Sequence, residues 1–141
     1  MLFIASTTIT AFGQAETPAE ALAKVRKTHA NAEAGYTATL KSEPNNANLY
    51  QQRGVVRFFQ LKFTESLADF DKFIEMTPSR EPYHWQRGLV HYYAGKYKDG
   101  RKQFESHQTV NTQDVENAVW HYLCVSKIDG VKAAEKLFIK I

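Results

Sequence analysis

The chain has 141 residues, of which 43% are hydrophobic and 13% aromatic, so it is long enough and apolar enough for one domain with a real core. Its formal net charge is only +3, and the 18 basic residues include no block of five or more like charges, which disfavours nucleic-acid binding. Cys124 is the single cysteine, which excludes an internal disulfide and a zinc site built from cysteines.

The first thirteen residues, MLFIASTTITAFG, form an uncharged and moderately apolar run. This run is shorter than the about 20 residues that span a bilayer, but it fits the apolar region of a secretory signal, with small residues for cleavage at Ala11, Gly13 and Ala15. No Lys or Arg precedes the run, so either the true start lies upstream of Met1 or the run is not a signal. We predict a signal peptide over residues 1–15 and an extracytoplasmic protein without stable membrane insertion after its removal. The alternative is a cytoplasmic protein.

A capping box, Thr17-Pro18-Ala19-Glu20, predicts an N-terminal helix over residues 18–43, with Gly35 as a weak point. Apolar residues at helical spacing predict further helices near 47–60, 65–76, 81–94, 98–110, 115–128 and 131–141. Thr64 is the predicted cap of the helix at 65–76. The secondary structure is therefore all-α.

These helices repeat with a period of 34 residues. Gln52-Arg53-Gly54 recurs as Gln86-Arg87-Gly88. Four other sets of residues keep the same spacing: Ser66, Gly100 and Ala134; Phe70, Phe104 and Phe138; Phe73, His107 and Ile141; and Pro44 and Pro78, with Thr112 in the third place. A period of this length is the sequence sign of a stacked helical-repeat fold.

A 34-residue helix-turn-helix unit with small, aromatic and proline residues at these offsets resembles the tetratricopeptide (TPR) repeat. The resemblance implies an all-α, right-handed solenoid of about two and a half units after the N-terminal helix. Its repeats would span residues 47–80 and 81–114, with a partial repeat at 115–141, in a TPR domain over 16–141. The stretches WQRG, from Trp85, and WHYLC, from Trp120, also resemble a group of uncharacterised, often exported TPR proteins. Chains of that group continue further, so we expect this chain to be a truncated member.

In the TPR family, helix A of each unit faces a concave groove that receives the partner. By this resemblance the groove residues are Asn48, Gln51, Val55, Phe58, Phe59, Trp85, Leu89, Tyr92, Tyr93 and Glu116, with Pro82 in the second unit and Val119, Leu123, Ser126 and Lys127 in the third. Large rings make good anchors because they bury much area at low entropic cost. We therefore predict a non-catalytic module, without cofactor, that binds a peptide or helix of a protein partner. The alternative is that the N-terminal helix fills part of the groove.

Some TPR modules bind chaperone C-termini through a clamp of Lys and Asn side chains. The corresponding positions here hold Gln51, Val55, Leu89 and Tyr93, so the clamp is absent and binding of chaperone tails is disfavoured. Arg53 and Arg87 occupy positions where the repeat usually has leucine. We expect them to face the packed layer and to pair with carboxylates, for which Asp69 and Asp71 are the candidates.

Two further hypotheses compete with a groove module. His121 and Cys124 share a helix face and could form a nucleophile pair in an enzyme or a small-ligand site, although no oxyanion loop or orienting third residue is recognisable. The apolar edge of the incomplete last unit, with Val131, Leu137 and Phe138, could instead serve self-association. His84 and His91 are seven residues apart, too far to chelate one ion without additional ligands, so no metal site is expected.

Overall fold

In a computed structural model, residues 16–138 are described, and within them the chain is helical with short turns and no strand. The α-helices of this part are α1 Pro18–Ser42, α2 Ala47–Phe59, α3 Phe63–Met76, α4 Trp85–Tyr93, α5 Tyr97–Gln108, α6 Val115–Asp129 and α7 Val131–Lys136. A short 3₁₀ helix, Pro78–Tyr83, joins α3 to α4. The predicted signal peptide at 1–15 and the last three residues of the chain lie outside the described part. In the part that is described, no helix is both long and apolar enough to cross a membrane.

Each helix packs against its neighbours in chain order. Helices α2 and α3 form one pair, α4 and α5 a second, and α6 and α7 a third, while α1 packs on α2, α3 on α4 and α5 on α6. Helix α4 also contacts α6, so helices two apart along the chain come together on one side. Contacts that stay between neighbours define a helical-repeat solenoid, which confirms the predicted all-α solenoid fold.

The repeated glycines and phenylalanines form the contact within the first two helix pairs, α2–α3 and α4–α5. A Cβ placed on Gly54 would lie 2.5 Å from Cε1 of Phe70, and one placed on Gly88 would lie 2.7 Å from Cε1 of Phe104. Both phenylalanine side chains are buried. Because interiors are packed closely, α2 and α4 must carry glycine where the phenylalanine ring of the next helix lies against their backbone; the third pair has Tyr122 at this position, and its ring contacts Phe138 at 5.8 Å. The 34-residue spacing of these glycines and phenylalanines in the sequence is explained by this contact.

Replacing Gly88 by alanine tests this contact. We expect Gly88→Ala to lower the free energy of unfolding by about 1–3 kcal/mol, because the new methyl group meets a buried ring that has little room to move. Gly35→Ala is the matched control: no atom lies within 4 Å of its added Cβ, so helix propensity alone should stabilise the protein by about 0.5–1 kcal/mol. Urea unfolding of both variants measures the difference, and equal effects at the two glycines would contradict the steric explanation.

The N-terminal helix begins as the sequence predicts. The backbone N–H of Thr17 donates to Oε2 of Glu20 at 2.8 Å, and the N–H of Glu20 donates to Oγ1 of Thr17 at 3.3 Å, which completes the capping box. The helix then runs without interruption through Gly35 to Ser42, so the expected weak point does not break it. Packing of its second half on α2 outweighs the low helix propensity of a single glycine.

Two predicted helix starts are wrong. Helix α3 begins at Phe63 with Lys62 in the cap position, so Thr64 lies inside the helix and does not cap it. Helix α4 begins at Trp85 rather than near residue 81, because the preceding residues form the 3₁₀ helix that contains Pro82. Proline lacks the N–H that an α-helix interior needs, so the α-helix starts only after it.

The arginines that replace leucine are paired with carboxylates, as predicted. Arg53 forms a two-pronged contact with Asp69, with Nε to Oδ2 at 2.9 Å and Nη2 to Oδ1 at 2.7 Å. Arg87 donates to Oδ1 of Asp71 at 2.7 Å and to Oε1 of Gln103 at 2.9 Å. Such geometry keeps a partly buried guanidinium satisfied and explains why the fold tolerates it.

A second set of ion pairs fastens α1 to the first helix pair. Glu33 of α1 accepts hydrogen bonds from Nε of Arg57 at 2.9 Å and from Nζ of Lys62 at 2.5 Å. Burial of Glu33 raises its pKa, but the hydrogen bonds from Lys62, Arg57 and Gln60 outweigh this and lower the pKa to about 2. The carboxylate is therefore ionised at neutral pH, and α1 is held as a further layer of the solenoid.

Candidate functional site

Aromatic side chains from four helices meet along one side of the solenoid. We call this surface the aromatic strip, and it comprises Phe58, Phe59, Phe63, Tyr92, Tyr93 and Trp120. Tyr93 is its centre: ring centroids lie 5.7 Å away for Phe58, 5.9 Å for Phe63 and 5.8 Å for Trp120. Tyr92 contacts Trp120 edge-to-face at 5.2 Å. Distances of this size are those of favourable ring pairs, so neighbouring rings hold one another in place.

The strip is only partly covered by the protein. Phe59 is 60% exposed and Tyr93 is 52% exposed, whereas Phe58, Phe63 and Trp120 are half-buried. His29 of α1 stacks on Phe59 with a centroid distance of 5.3 Å and closes one end of the strip. Helix α1 otherwise packs mainly along α2, so it borders the strip, covers one face of Phe59 through His29 and still leaves Phe59 and Tyr93 more than half exposed.

The 34-residue repeat explains most of the aromatic strip, and it also explains why the sequence prediction missed Trp120. Phe58 and Phe59 near the end of α2 are 34 residues before Tyr92 and Tyr93 of α4, so the repeat brings these two pairs of rings to the same region, where Phe58 contacts Tyr93. Phe63 was not among the predicted groove residues, since the prediction used only the first helix of each unit, and neither was Trp120, because the register of the repeat selected Val119 instead. Equivalent positions in the earlier units hold Gln52 and Gln86, which gave no aromatic signal there.

A polar cleft of about 480 Å³ lies at the other end of the same helices, where α2 and α4 begin. We call it the Arg80 cleft, and its walls include Asn48, Gln51, Arg80, Tyr83, Trp85 and Gln86. Trp85 is 42% exposed and Tyr83 is 53% exposed. Trp85 lies seven residues before Tyr92 on α4, which at 1.5 Å per residue is about 10 Å along the helix axis. The predicted groove residues thus fall into two groups, Trp85 with the cleft and the other rings with the strip.

The remaining predicted groove residues connect or flank these two groups. Val55 is half-buried and packs against the core, and Leu89 is half-buried in the middle of α4. Glu116 is exposed and lines a smaller cleft of about 210 Å³, which is also lined by Trp85 and Trp120. Trp85 therefore forms a wall of both clefts.

Hydrogen bonds fix the orientation of the side chains on the floor of the Arg80 cleft. The backbone N–H of Arg87 donates to Nδ1 of His84 at 3.2 Å, which places the ring proton on Nε2. Nε2 of His84 then donates to Oε1 of Gln51 at 2.5 Å, and Nε2 of Gln51 donates to Oε1 of Gln86 at 2.9 Å. The chain of bonds ends at the amide group of Gln86, so the Nε2 hydrogens of Gln86 are the next donors in line.

Two buried histidines are held in the neutral form. Burial lowers the pKa of His84 to about 4. Burial also lowers the pKa of His91 to about 4, with Arg87 adding to the effect, and neither ring nitrogen of His91 has a hydrogen-bond partner among the described residues. Within the described residues no group of three or more His, Cys, Asp or Glu side chains is arranged to hold a metal ion.

The neutral histidines make stability depend on pH. Because the pKa of each is near 4 in the fold and near 6.5 in the unfolded chain, the unfolded state binds more protons below pH 6.5, and stability falls as the pH is lowered toward 4. Between pH 6.5 and 5 we expect a loss of about 1.5 kcal/mol for each histidine, because the unfolded-state ring is half protonated at pH 6.5 and the full slope of 1.36 kcal/mol per pH unit is reached only at lower pH. Urea unfolding at these two pH values measures it. A free energy of unfolding that does not change would contradict the burial of neutral imidazoles.

The predicted nucleophile pair does not assemble. Cys124 is completely buried, and burial raises the pKa of its thiol to about 12. His121 lies 3.3 Å from Oε1 of Glu105 through its Nε2, and no hydrogen bond joins His121 to Cys124 in the described part of the chain. The thiol packs instead near Gly100, whose added Cβ would lie 3.0 Å from Sγ. This environment opposes the thiolate that nucleophilic catalysis needs.

The rate of alkylation measures the reactivity of the Cys124 thiol directly. In the native protein at pH 8 we expect Cys124 to react with iodoacetamide at least about a hundredfold more slowly than in 8 M urea, because a thiol with a raised pKa forms little thiolate and a buried one is inaccessible. Mass spectrometry of timed samples gives both rates. Reaction of the native protein at the rate of the unfolded chain would restore the hypothesis of a reactive thiol.

Comparisons with known proteins agree with the repeat architecture. No protein-family model matches the chain. Over 94 residues it is 23% identical to the Protein SGT1 homolog of Bos taurus, which covers 67% of this chain and 28% of that protein. Over 101 residues it is 25% identical to the Lipoprotein NlpI homolog of Haemophilus influenzae, which covers 72% of this chain and 32% of that protein. Both relatives contain tetratricopeptide repeats. The chain thus spans about a third or less of the length of these relatives.

Proposed function

We propose that the protein is a non-catalytic interaction module that holds a peptide or helix of a protein partner in the groove along α2, α4 and α6. The observation that carries this proposal is the aromatic strip, in which Phe59 and Tyr93 are more than half exposed although neighbouring rings fix their positions. Rings of this kind are the usual anchors of protein interfaces. The TPR-containing relatives support a module of this class.

The residues proposed to contact the partner are those of the predicted groove together with the tryptophan that the repeat register missed. They are Asn48, Gln51, Val55, Phe58, Phe59, Trp85, Leu89, Tyr92, Tyr93, Trp120 and Glu116. A Phe or Tyr side chain buries about 150–250 Å² when it is fully covered. Covering the open half of one exposed ring would therefore contribute roughly 2–3 kcal/mol to binding, at about 25 cal/mol per Å². Little ordering entropy opposes this gain, because the rings lie on helices and are already packed on one side.

We also propose that the protein is exported from the cytoplasm. The apolar run MLFIASTTITAFG supports it, and so does the similarity to a protein named as a lipoprotein. The expected partner is then an extracytoplasmic protein. No nucleic acid is expected, because the basic residues are spread along the chain.

A second candidate function is self-association through the edge formed by α6 and α7. Val131 is 55% exposed, Leu137 is 46% exposed and Phe138 is 43% exposed, and exposed apolar side chains grouped in this way are typical of an interaction surface. Sedimentation equilibrium over a hundredfold range of protein concentration tests this candidate. A constant monomer mass would exclude it.

The groove proposal is tested with the double variant Phe59→Ala/Tyr93→Ala. Both side chains are exposed, so the fold should persist, while binding should weaken at least thirtyfold, because two interface anchors at about 1–2 kcal/mol each are lost. In-cell crosslinking with tagged protein and mass spectrometry identifies the captured proteins, and titration of each purified candidate gives the affinity.

The matched control is Leu22→Ala/Val25→Ala, which removes two similarly exposed apolar side chains from α1, outside the strip. A partner that is lost with the strip variant and kept with the control supports the groove. Capture of the same partners by the wild type and both variants would mean that the groove is not the working surface.

A further inference from the structure

Arg80 stands apart from the arginines of the packed layers. Arg53, Arg57, Arg87 and Arg101 each pair with a carboxylate at 2.7–2.9 Å. Arg80 has no such partner among the ion pairs of the described residues. Its guanidinium lies over the ring of Tyr83, with Cζ 5.5 Å from the ring centroid. Stacking of this kind restrains the guanidinium and leaves its N–H donors free to bind a ligand.

The lining of the Arg80 cleft carries positive charge and no negative charge. Arg80 is the only charged residue among those that line it; the other lining residues are neutral. His84 belongs to this neutral set, since burial holds it in the uncharged form. The fixed sequence of hydrogen bonds from His84 through Gln51 ends at the amide of Gln86, which adds a neutral donor beside the cation. An electropositive cleft with amide donors and aromatic walls complements an anion.

We propose that the Arg80 cleft receives the carboxylate side chain of an Asp or Glu in the same partner segment whose apolar residues cover the aromatic strip. This inference rests on the proposed function and gives its partner a chemical signature. The guanidinium edge of Arg80 would bind the carboxylate with two parallel hydrogen bonds, and Gln86 would contribute another. Tyr83 and Trp85 would shield the pair from water on two sides.

The helix geometry sets the spacing between the two anchors. Gln51 and Trp85 border the cleft, and each lies seven residues before a ring of the strip, Phe58 on α2 and Tyr92 on α4. Seven residues of α-helix span about 10 Å. A partner helix would therefore present its acidic residue and its apolar anchor at i and i+7, and an extended partner would present them three residues apart, at about 3.3 Å per residue.

The carboxylate is assigned to a side chain rather than to a chain end because the Arg80 cleft is not the end of the surface: it adjoins a second cleft across their shared wall, Trp85. The aromatic strip lies on one side. Across Trp85 lies the smaller cleft with Glu116 and Trp120. A segment that follows this surface passes through the Arg80 cleft instead of ending in it.

A random library of 16-residue peptides, displayed with both ends fused so that no free C-terminus is present, tests the inference. Peptides that bind are selected separately on four full-length proteins: the wild type, Arg80→Gln, Phe59→Ala/Tyr93→Ala and Arg26→Gln. The last variant is the control, because it removes an exposed arginine outside the cleft. Wild type and Arg26→Gln should enrich peptides that pair Asp or Glu with a large apolar residue at one of the two spacings. Arg80→Gln should keep the apolar preference and lose the acidic one.

Synthetic peptides from the selection complete the test. Replacing the enriched Glu by Gln should weaken binding to the wild type about tenfold, and should have no effect on binding to Arg80→Gln, because the charged partner is already absent. A matched peptide with a neutral side chain and a free C-terminal carboxylate should bind no better than its amidated form. Stronger binding of the free carboxylate would overturn the assignment to a side chain.

Failure of this inference can be told apart from failure of the groove proposal. Enriched peptides that depend on Phe59 and Tyr93 but carry no acidic preference, or an equal effect of Glu→Gln with and without Arg80, would overturn the carboxylate site and leave the groove intact. Enrichment of no peptide, or of peptides that bind the Phe59→Ala/Tyr93→Ala variant as well as the wild type, would overturn both.

Discussion

The close approach of a glycine in the first helix of a pair to a phenylalanine in the second is the contact on which the rest of the structure depends. At Gly54 and Phe70, and again at Gly88 and Phe104, an added Cβ would lie within 2.5–2.7 Å of the ring. Because this distance admits no side chain, the two helices of a pair can be joined in one way only. The next pair repeats the same geometry, and the ends of α2 and α4 come close enough for Phe58 to contact Tyr93.

Polar contacts follow the same repetition and add specificity to the apolar core. Arg53 pairs with Asp69, and 34 residues later Arg87 bonds Gln103 at the equivalent position while taking Asp71 as its carboxylate. A buried arginine left without such partners would cost several kcal/mol, so each pair helps to exclude other packings of the helices. The surface that these layers support is different in character. This surface has exposed aromatic rings at one end and Arg80, which has no ion-pair partner among the described residues, at the other. These side chains are suited to binding a ligand, and the core does not need them for packing.

The helix content, the repeat period and the identity of the packing residues could be read from the chain. Glycine and phenylalanine at 34-residue spacing leave little choice about which side chains meet, and the capping box at Thr17 and Glu20 marks the start of α1. The start of α4 could not be read in this way, since the segment before Trp85 contains turn and helix signals together. Most residues of the strip were also within reach of the sequence, because Phe58 and Phe59 are equivalent to Tyr92 and Tyr93.

The sequence by itself determined the stacking unit, because steric exclusion at a glycine and pairing of a buried arginine act between residues at fixed separations along the chain. The tertiary structure alone decided three other features. It placed Trp120 in the strip where the repeat has glutamine, it buried Cys124 without a hydrogen bond to His121, and it left Arg80 in a cleft whose other lining residues are neutral. Each of these depends on which side chains from distant helices surround a residue, and on the charge and water that they exclude. A period along the sequence carries no information about such surroundings.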